Sequence, residues 1–278
     1  LDWSVAKKIL IAVFVLVNVF MAYNLKDFYF NQGISQNIID NAQKILERYD
    51  VKIECEIPKY VGKNVILTMA SNQLDKKKII KGIIFDNDEF INNLNTLDTV
   101  YWKSKKIVFS KNGGFSYFNE NPDSEVDLTS KKSIEQAIIA FIKNASIVKG
   151  NFVIDKFITD KAGSVTATLI DDYEGYFVFD NQITAIVGEK GIKSLSLKYR
   201  TPEGISYRKG NAINAYEILI QNYMSKKGIT ITTIDHGFRS FSVENSSKRL
   251  HLGLVWRVVT KDGSERFFDS YDGTEMID

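Results

Sequence analysis

The chain predicts an α+β protein: an N-terminal transmembrane helix followed by an extracytoplasmic body of repeated helix-on-antiparallel-sheet units. Three observations carry this reading. Residues Ile9–Leu25 form a seventeen-residue, mostly apolar run without formal charge. Two helix-periodic segments after residue 130 are each followed by a series of short alternating strands. Asn112-Gly113-Gly114, Asp262-Gly263 and Asp272-Gly273 sit between strand-like segments, where hairpins need residues that accept positive φ.

The apolar run spans about 26 Å as a helix, near the lower limit for crossing a bilayer core. Val5 and Ala6, with Lys7 and Lys8 reaching toward headgroups, extend it to about twenty residues. Lys7 and Lys8 set the topology: the positive-inside rule puts the short N-terminal tail in the cytoplasm and the body outside, at the cell membrane, as a single-pass protein. Trp3, Tyr23 and Tyr29 suit the two interfaces. A cleaved signal peptide would need small residues at its cleavage site, and Met21-Ala22-Tyr23 fits that poorly. Asn18 falls inside the run, on a face with Ile11, Phe14, Val15, Met21, Ala22 and Leu25. An amide there gains from a second helix that bonds it, so this face is the candidate partner-helix contact. A tolerated polar residue is the other reading.

Composition bounds the body. Its 278-residue chain is 44% hydrophobic and 25% charged, which are globular proportions. Thirty-six basic against 34 acidic residues leave a net charge of +2, too little for a nucleic-acid partner. Cys55 is the single cysteine and excludes an internal disulfide. Alternating with Ile53 and Ile57, it reads as a small core residue.

The body then divides into an N-terminal α+β part, 31–120, and a C-terminal region, 130–278, following the tail and helix of 1–30. Ser35–Tyr49 has Ile38, Ala42, Ile45, Leu46 and Tyr49 on one face, with Ser35 as N-cap. Val51–Ile57 and Val65–Met69 read as strands. Lys76, Lys77 and Lys78 read as a solvated face. Val100–Tyr117 reads as a hairpin, and the polar stretch Asn119–Thr129 is the domain boundary.

Two similar units follow, about 130–200 and 211–278. The first has a helix at Ser130–Ser146 and strands at Phe152–Thr159, Ser164–Ile170, Gly175–Phe179, Ile183–Val187 and Ser194–Tyr199. The second has a helix at Asn211–Lys226 and strands at Ile229–Ile234, Phe238–Val243, Leu250–Val259, Ser264–Ser270 and Thr274–Ile277. The last three form a meander.

No catalytic, metal or cofactor motif is present. His236, in Asp235-His236-Gly237, reads as a turn residue, and His251 lies near a strand start. Asp171-Asp172-Tyr173-Glu174 reads as a solvated turn, because adjacent strand carboxylates point to opposite faces and chelate poorly. The expectation is therefore a protein that is not an enzyme, with no cofactor and no metal.

The opening Asp2-Trp3-Ser4-x-Ala6-Lys7, running into an apolar helix with a central Asn, resembles the YycI family. These are membrane-anchored regulatory proteins found beside the WalK/WalR two-component system of low-GC Gram-positive bacteria. Tyr173-Glu174-Gly175 through Phe179-Asp180-Asn181, Gly191-Ile192, Tyr199, Asn211-Ala212-Ile213, Trp256-Arg257-Val258 and Asp272-Gly273 are similar to that family as well. The resemblance implies an accessory subunit that acts with a YycH-like protein on a WalK-like sensor kinase governing cell-wall metabolism. It places the functional stretch at Trp3 through Leu25, with the outer body pairing with the YycH-like protein. The closing meander is also similar to PepSY strands, which keeps a second expectation open: an exported PepSY-like binding module restraining a protease or sensing an envelope ligand.

Overall fold

The described strands of this mixed α+β, mostly β protein form one continuous fourteen-stranded sheet, and strand Tyr176–Gly188 joins its two lobes, called here the first and second sheets. The computed structural model describes residues 3–30, 34–60, 62–70, 74–84, 98–110, 113–145, 150–241 and 249–277, without the side chains of 5, 6, 9 and 22–30. In chain order its helices are α1 (Trp3–Phe30), α2 (Gln36–Arg48), α3 (Lys76–Ile84), α4 (Lys131–Asn144) and α5 (Ala215–Tyr223). The strands are β1 (Val51–Ile53), β2 (Lys63–Met69), β3 (Thr99–Trp102), β4 (Lys105–Ser110), β5 (Gly114–Asn119), β6 (Phe152–Thr159) and β7 (Val165–Tyr173). After them come β8 (Tyr176–Gly188), β9 (Gly191–Lys198), β10 (Pro202–Asn211), β11 (Ile229–Arg239), β12 (Leu250–Thr260), β13 (Glu265–Asp269) and β14 (Glu275–Met276).

The first sheet runs β6-β7-β8-β9-β5-β4-β3, antiparallel throughout. Its inner face is one row of side chains brought into register by the pairing: Val100, Ile107, Tyr117, Leu195, Ala185 and Ala167. Ile134, Ile138 and Ile142 of α4 and Ile79, Ile80, Ile83 and Ile84 of α3 join that face in a common core. Spacings of three and four put each isoleucine set on one stripe. Ser130 Oγ accepts from Ser133 N at 3.3 Å and starts α4.

The second sheet is centred on β11 and β12. Antiparallel β2 lies beside β12 and β10 beside β2, while β13 and β14 continue from the C-terminal half of β12 as the expected meander. Parallel β1 pairs with the start of β11. Helices α2 and α5 cover it through Ile39, Leu46, Ala215, Ile218, Leu219 and Tyr223, against Trp256, Val258 and Phe268. Strand pairing thus shares the first 120 residues between both sheets. β1 and β2 join the strands after residue 200, and β3–β5 join β9. The 119–129 stretch lies along the β8–β9 turn, where Ser124 N and Val126 N donate to Lys190 O and Glu189 O.

Several local expectations change. Ser35 stands at the N-cap position of α2, but its side chain does not cap; its carbonyl accepts from Ile38 N instead. The helix expected from Asn211 begins at Ala215, because 202–211 is the edge strand β10. Glu217 Oε2 accepts from Asn214 N at 2.8 Å at that helix start. β8 and β11 are each continuous where a break was expected. Asn112 and residues 85–97 lie outside the described residues.

Helix α1 is present over the apolar run, but the expectation of a membrane-spanning helix is not met within the described residues. Among them, no helix is long and apolar enough to cross a membrane. The side chains described without interruption from Leu10 to Met21 cover about 18 Å, short of a hydrocarbon core of about 30 Å.

The sheets touch where β8 runs parallel to β11, through Phe177–Gly237 and Val178–Phe238. A Cβ on Gly237 would fall 2.2 Å from Phe177 O, so only glycine permits this approach. Gly237→Ala is expected to lower the urea midpoint by the equivalent of about 1–3 kcal/mol, from overpacking at this contact. An unchanged midpoint would mean that β8 and β11 do not need this proximity.

Candidate functional site

Where β8 leaves β11 for β9 it bulges. Ile170 pairs with Gln182, yet Asp171 pairs with Val178, so Phe179, Asp180 and Asn181 leave the ladder. Each is put to use. Asn181 Nδ2 donates to Asp171 Oδ2 at 2.9 Å and to Arg200 O at 2.8 Å, and its Oδ1 accepts from Arg200 N at 2.8 Å. Asp180 Oδ2 accepts from Ser240 N at 2.9 Å, tying the bulge to the end of β11. The Phe179 ring stacks edge-on against Phe267, 5.1 Å between centroids, and lies 4.9 Å from the Arg257 guanidinium carbon.

Asp171 is therefore a buried fastener, which corrects the expectation of a solvated acidic turn. Burial raises its pKa, opposed by the bonds from Asn181 and from Asn151 N. Only Glu174 and Gly175, both at positive φ, form the exposed turn.

Arg257 is the other half of the junction. It lies in the apolar strand β12 with its side chain 5% exposed. Its Nη1 and Nη2 donate to the two carboxylate oxygens of Asp155 at 2.9 and 2.6 Å, a bidentate fork. Its Nε and Nη2 donate to Asp235 Oδ2 at 3.1 and 2.5 Å. Glu265 lies 3.4 Å from Nη1 and pairs with Lys156 at 3.0 Å. Burial alone would lower the Arg257 pKa; the bonds and charges of Asp155 and Asp235 more than reverse this. Asp155 belongs to β6 in the first sheet, and Asp235, Glu265 and Arg257 belong to the second. The cluster bolts one sheet to the other.

A cleft of about 870 Å³ opens along this junction. It is lined by Phe179, Asp180, Arg239 and Phe267 on one side and by Ser116, Ser196 and Lys198 on the other. The Arg239 guanidinium stacks on Phe267 at 3.9 Å. Of the carboxylates here, Asp155 and Glu265 are committed to Arg257 and Lys156, and Asp180 accepts from Ser240 N. Among the described residues no group of three or more His, Cys, Asp and Glu side chains is placed to hold a metal ion.

His236 lies inside β11, not in a turn. The glycine beside it serves the strand contact described above. Its ring is enclosed by Tyr60, Tyr176 and Trp256, with centroids 5.0, 5.3 and 5.4 Å away. Burial lowers its pKa, with Asp235 pulling weakly upward. His251 is exposed and its Nδ1 lies 3.2 Å from Thr68 Oγ1. Cys55 is half-buried, its thiol pushed up to about 11 by burial and then by Asp235. It edges the core under α2 and α5.

The sequence-expected contact residues lie elsewhere, on α1. Lys7, Lys8, Ile11, Phe14, Val15, Asn18 and Met21 are exposed. Asn18 Nδ2 donates to Phe14 O at 2.8 Å within the helix. The side chains of Ala22 and Leu25 lie outside the described residues. Sequence reasoning passed over Arg257, Asp155 and Asn181. For Arg257 the signal was a lone charge inside an apolar strand, Leu254-Val255-Trp256-Arg257-Val258-Val259.

The Phe179-Asp180-Asn181 bulge and the Trp256-Arg257-Val258 segment both carried the family resemblance, and both build this junction. The profile of the YycI protein family matches residues 31–271. The chain belongs to the YycI family. No curated protein matches the sequence. The YycI match covers every strand but β14 and begins after α1, so the Asp2-Trp3-Ser4 motif lies outside the matched range. YycI proteins are regulatory accessory proteins of the WalK/WalR system.

His236 has a measurable consequence for this YycI body. A histidine whose folded pKa is depressed supports stability above its unfolded pKa, about 6.5, and that support is lost as the unfolded chain takes up the proton on acidification. Urea midpoints are expected to fall between pH 7.5 and 5.5, and to fall less in His236→Phe. An equal fall in both would remove His236 as the cause.

Proposed function

We propose that this YycI-family protein is a non-enzymatic accessory subunit, anchored in the cell membrane by α1, that modulates a WalK-like sensor kinase together with a YycH-like protein. The observation that carries the reading is the family match across 31–271, which spans nearly the whole body. The residues agree with it. Polar groups at the junction are bonded to one another, so the cleft presents a fixed surface rather than an acid–base pair poised to react.

Anchoring rests on the charge-free run Ile9–Leu25 behind Lys7 and Lys8. Helical structure extends over that whole run. Every large apolar side chain described from Leu10 to Met21 is exposed, all round the helix. A helix apolar on all sides suits lipid better than the surface of a globular body. The body would then stand on the extracytoplasmic side, and the Ile11, Phe14, Val15, Asn18, Met21, Ala22 and Leu25 face would meet a partner helix. Since one Asn18 N–H already donates within its own helix, a partner would meet its second N–H and its acceptor Oδ1.

The test is a WalR-dependent transcriptional reporter in a host lacking its own YycI-family protein. The full chain is expected to change reporter output several-fold. Replacing residues 3–25 with a cleaved secretion signal, which releases the body, is expected to remove most of that effect. A released body that retains the whole effect contradicts modulation through the membrane helix.

A further inference from the structure

We infer that the uncovered face of the first sheet is the surface on which the body meets its partner protein, one presenting an acidic, flat surface. This rests on the functional reading above and assigns that contact to the YycH-like subunit. α3 and α4 occupy one face of the sheet only. On the opposite face, strand register aligns a single transverse row. Tyr101 faces Lys106, Lys106 faces Phe118, and Phe118 faces Ser194. Ser194 faces Ile186, Ile186 faces Thr166, and Thr166 faces Ile158 at the far edge. Directly opposed residues of antiparallel strands point the same way, so these side chains share one surface across seven strands.

Four of them are large and apolar, and all four are exposed: Tyr101 by 67%, Phe118 by 45%, Ile186 by 38% and Ile158 by 61%. An exposed apolar residue here or there is ordinary, but four placed in one row by register form a patch. The remaining positions of this row, and the next two rows toward the cleft, are mostly Ser, Thr and Gln, with Thr168 and Ile170 buried. The charges on these rows are Lys106, Lys198 and Lys156, with no carboxylate, and Lys156 is paired with Glu265 of the second sheet. With Lys156 neutralised by Glu265, Lys106 and Lys198 give this side its positive charge, which disfavours a second copy of this chain and favours acidic groups opposite. Seven strands at about 4.8 Å and three rows at about 6.8 Å give a footprint on the order of 600 Å², the size of a reversible contact rather than an obligate one.

The experiment reconstitutes the full chain with a YycH-family protein in phosphatidylcholine nanodiscs and measures their association. Tyr101→Asp/Ile158→Asp is expected to weaken it about tenfold or more. Lys106→Glu/Lys198→Glu is expected to weaken it and flatten its salt dependence. Tyr207→Glu, on the outer edge of β10, is expected to change nothing. If the first variant fails to fold, the charge reversal decides alone. Wild-type affinity in the charge reversal, or an equal loss in Tyr207→Glu, overturns the inference and leaves the functional reading standing. A wild-type chain that does not associate at all overturns both.

Discussion

Arg257 holds a positive charge inside an apolar strand, and the two sheets meet where that charge is neutralised. Taking an ion of this size out of water costs several kcal/mol, and only well-placed counter-charges offset it. Asp155 and Asp235 approach from different sheets and occupy the guanidinium fork from two sides. Lys156 partly balances the third carboxylate, Glu265. The arrangement is asymmetric in its energetics. The complete cluster contributes little beyond what apolar residues would, whereas loss of one member strands a buried charge at a cost of about 3–5 kcal/mol. Its value lies in specifying which strands come together.

The bulge in β8 supplies the geometry for that meeting. One strand can serve two sheets only if it changes neighbours midway, and three residues outside the ladder make the change. Phe179 then reaches the Arg257 cluster, Asp180 the end of β11, and Asn181 the Asp171–Arg200 crossing. With both the ion cluster and the bulge bonded across the seam, the halves form one stiff unit.

Much of the local structure was legible in the residues. Isoleucines at steps of three and four announced α4, and Asp-Gly pairs announced the C-terminal meander, because both signals depend on neighbours in sequence. The family resemblance came from short segments too, among them Asp2-Trp3-Ser4, Phe179-Asp180-Asn181 and Trp256-Arg257-Val258. Partners distant in sequence were not legible. β10 is polar and exposed, and it is a strand because β2, more than 130 residues earlier, offers it an edge. His236 read as a turn because Gly237 follows it, yet that glycine is required by a carbonyl on another strand. Asp171 read as solvated because three acidic residues stand together in sequence; in space it alone turns inward to Asn181. For the helix face around Asn18, the residue pattern defines a candidate contact and no more.

For the YycI family this places the regulatory question on surfaces rather than on reactive groups, and it makes the joined sheets the frame that presents those surfaces. The direct measurement is a double-mutant cycle on Asp155→Ala and Arg257→Met, followed by urea unfolding of the single and double variants. One cooperative transition is expected in the native chain, with a coupling energy of about 1.5 kcal/mol or more between the two positions. Effects that add to within about 0.5 kcal/mol, or separate unfolding of the two sheets in the unaltered protein, would contradict it.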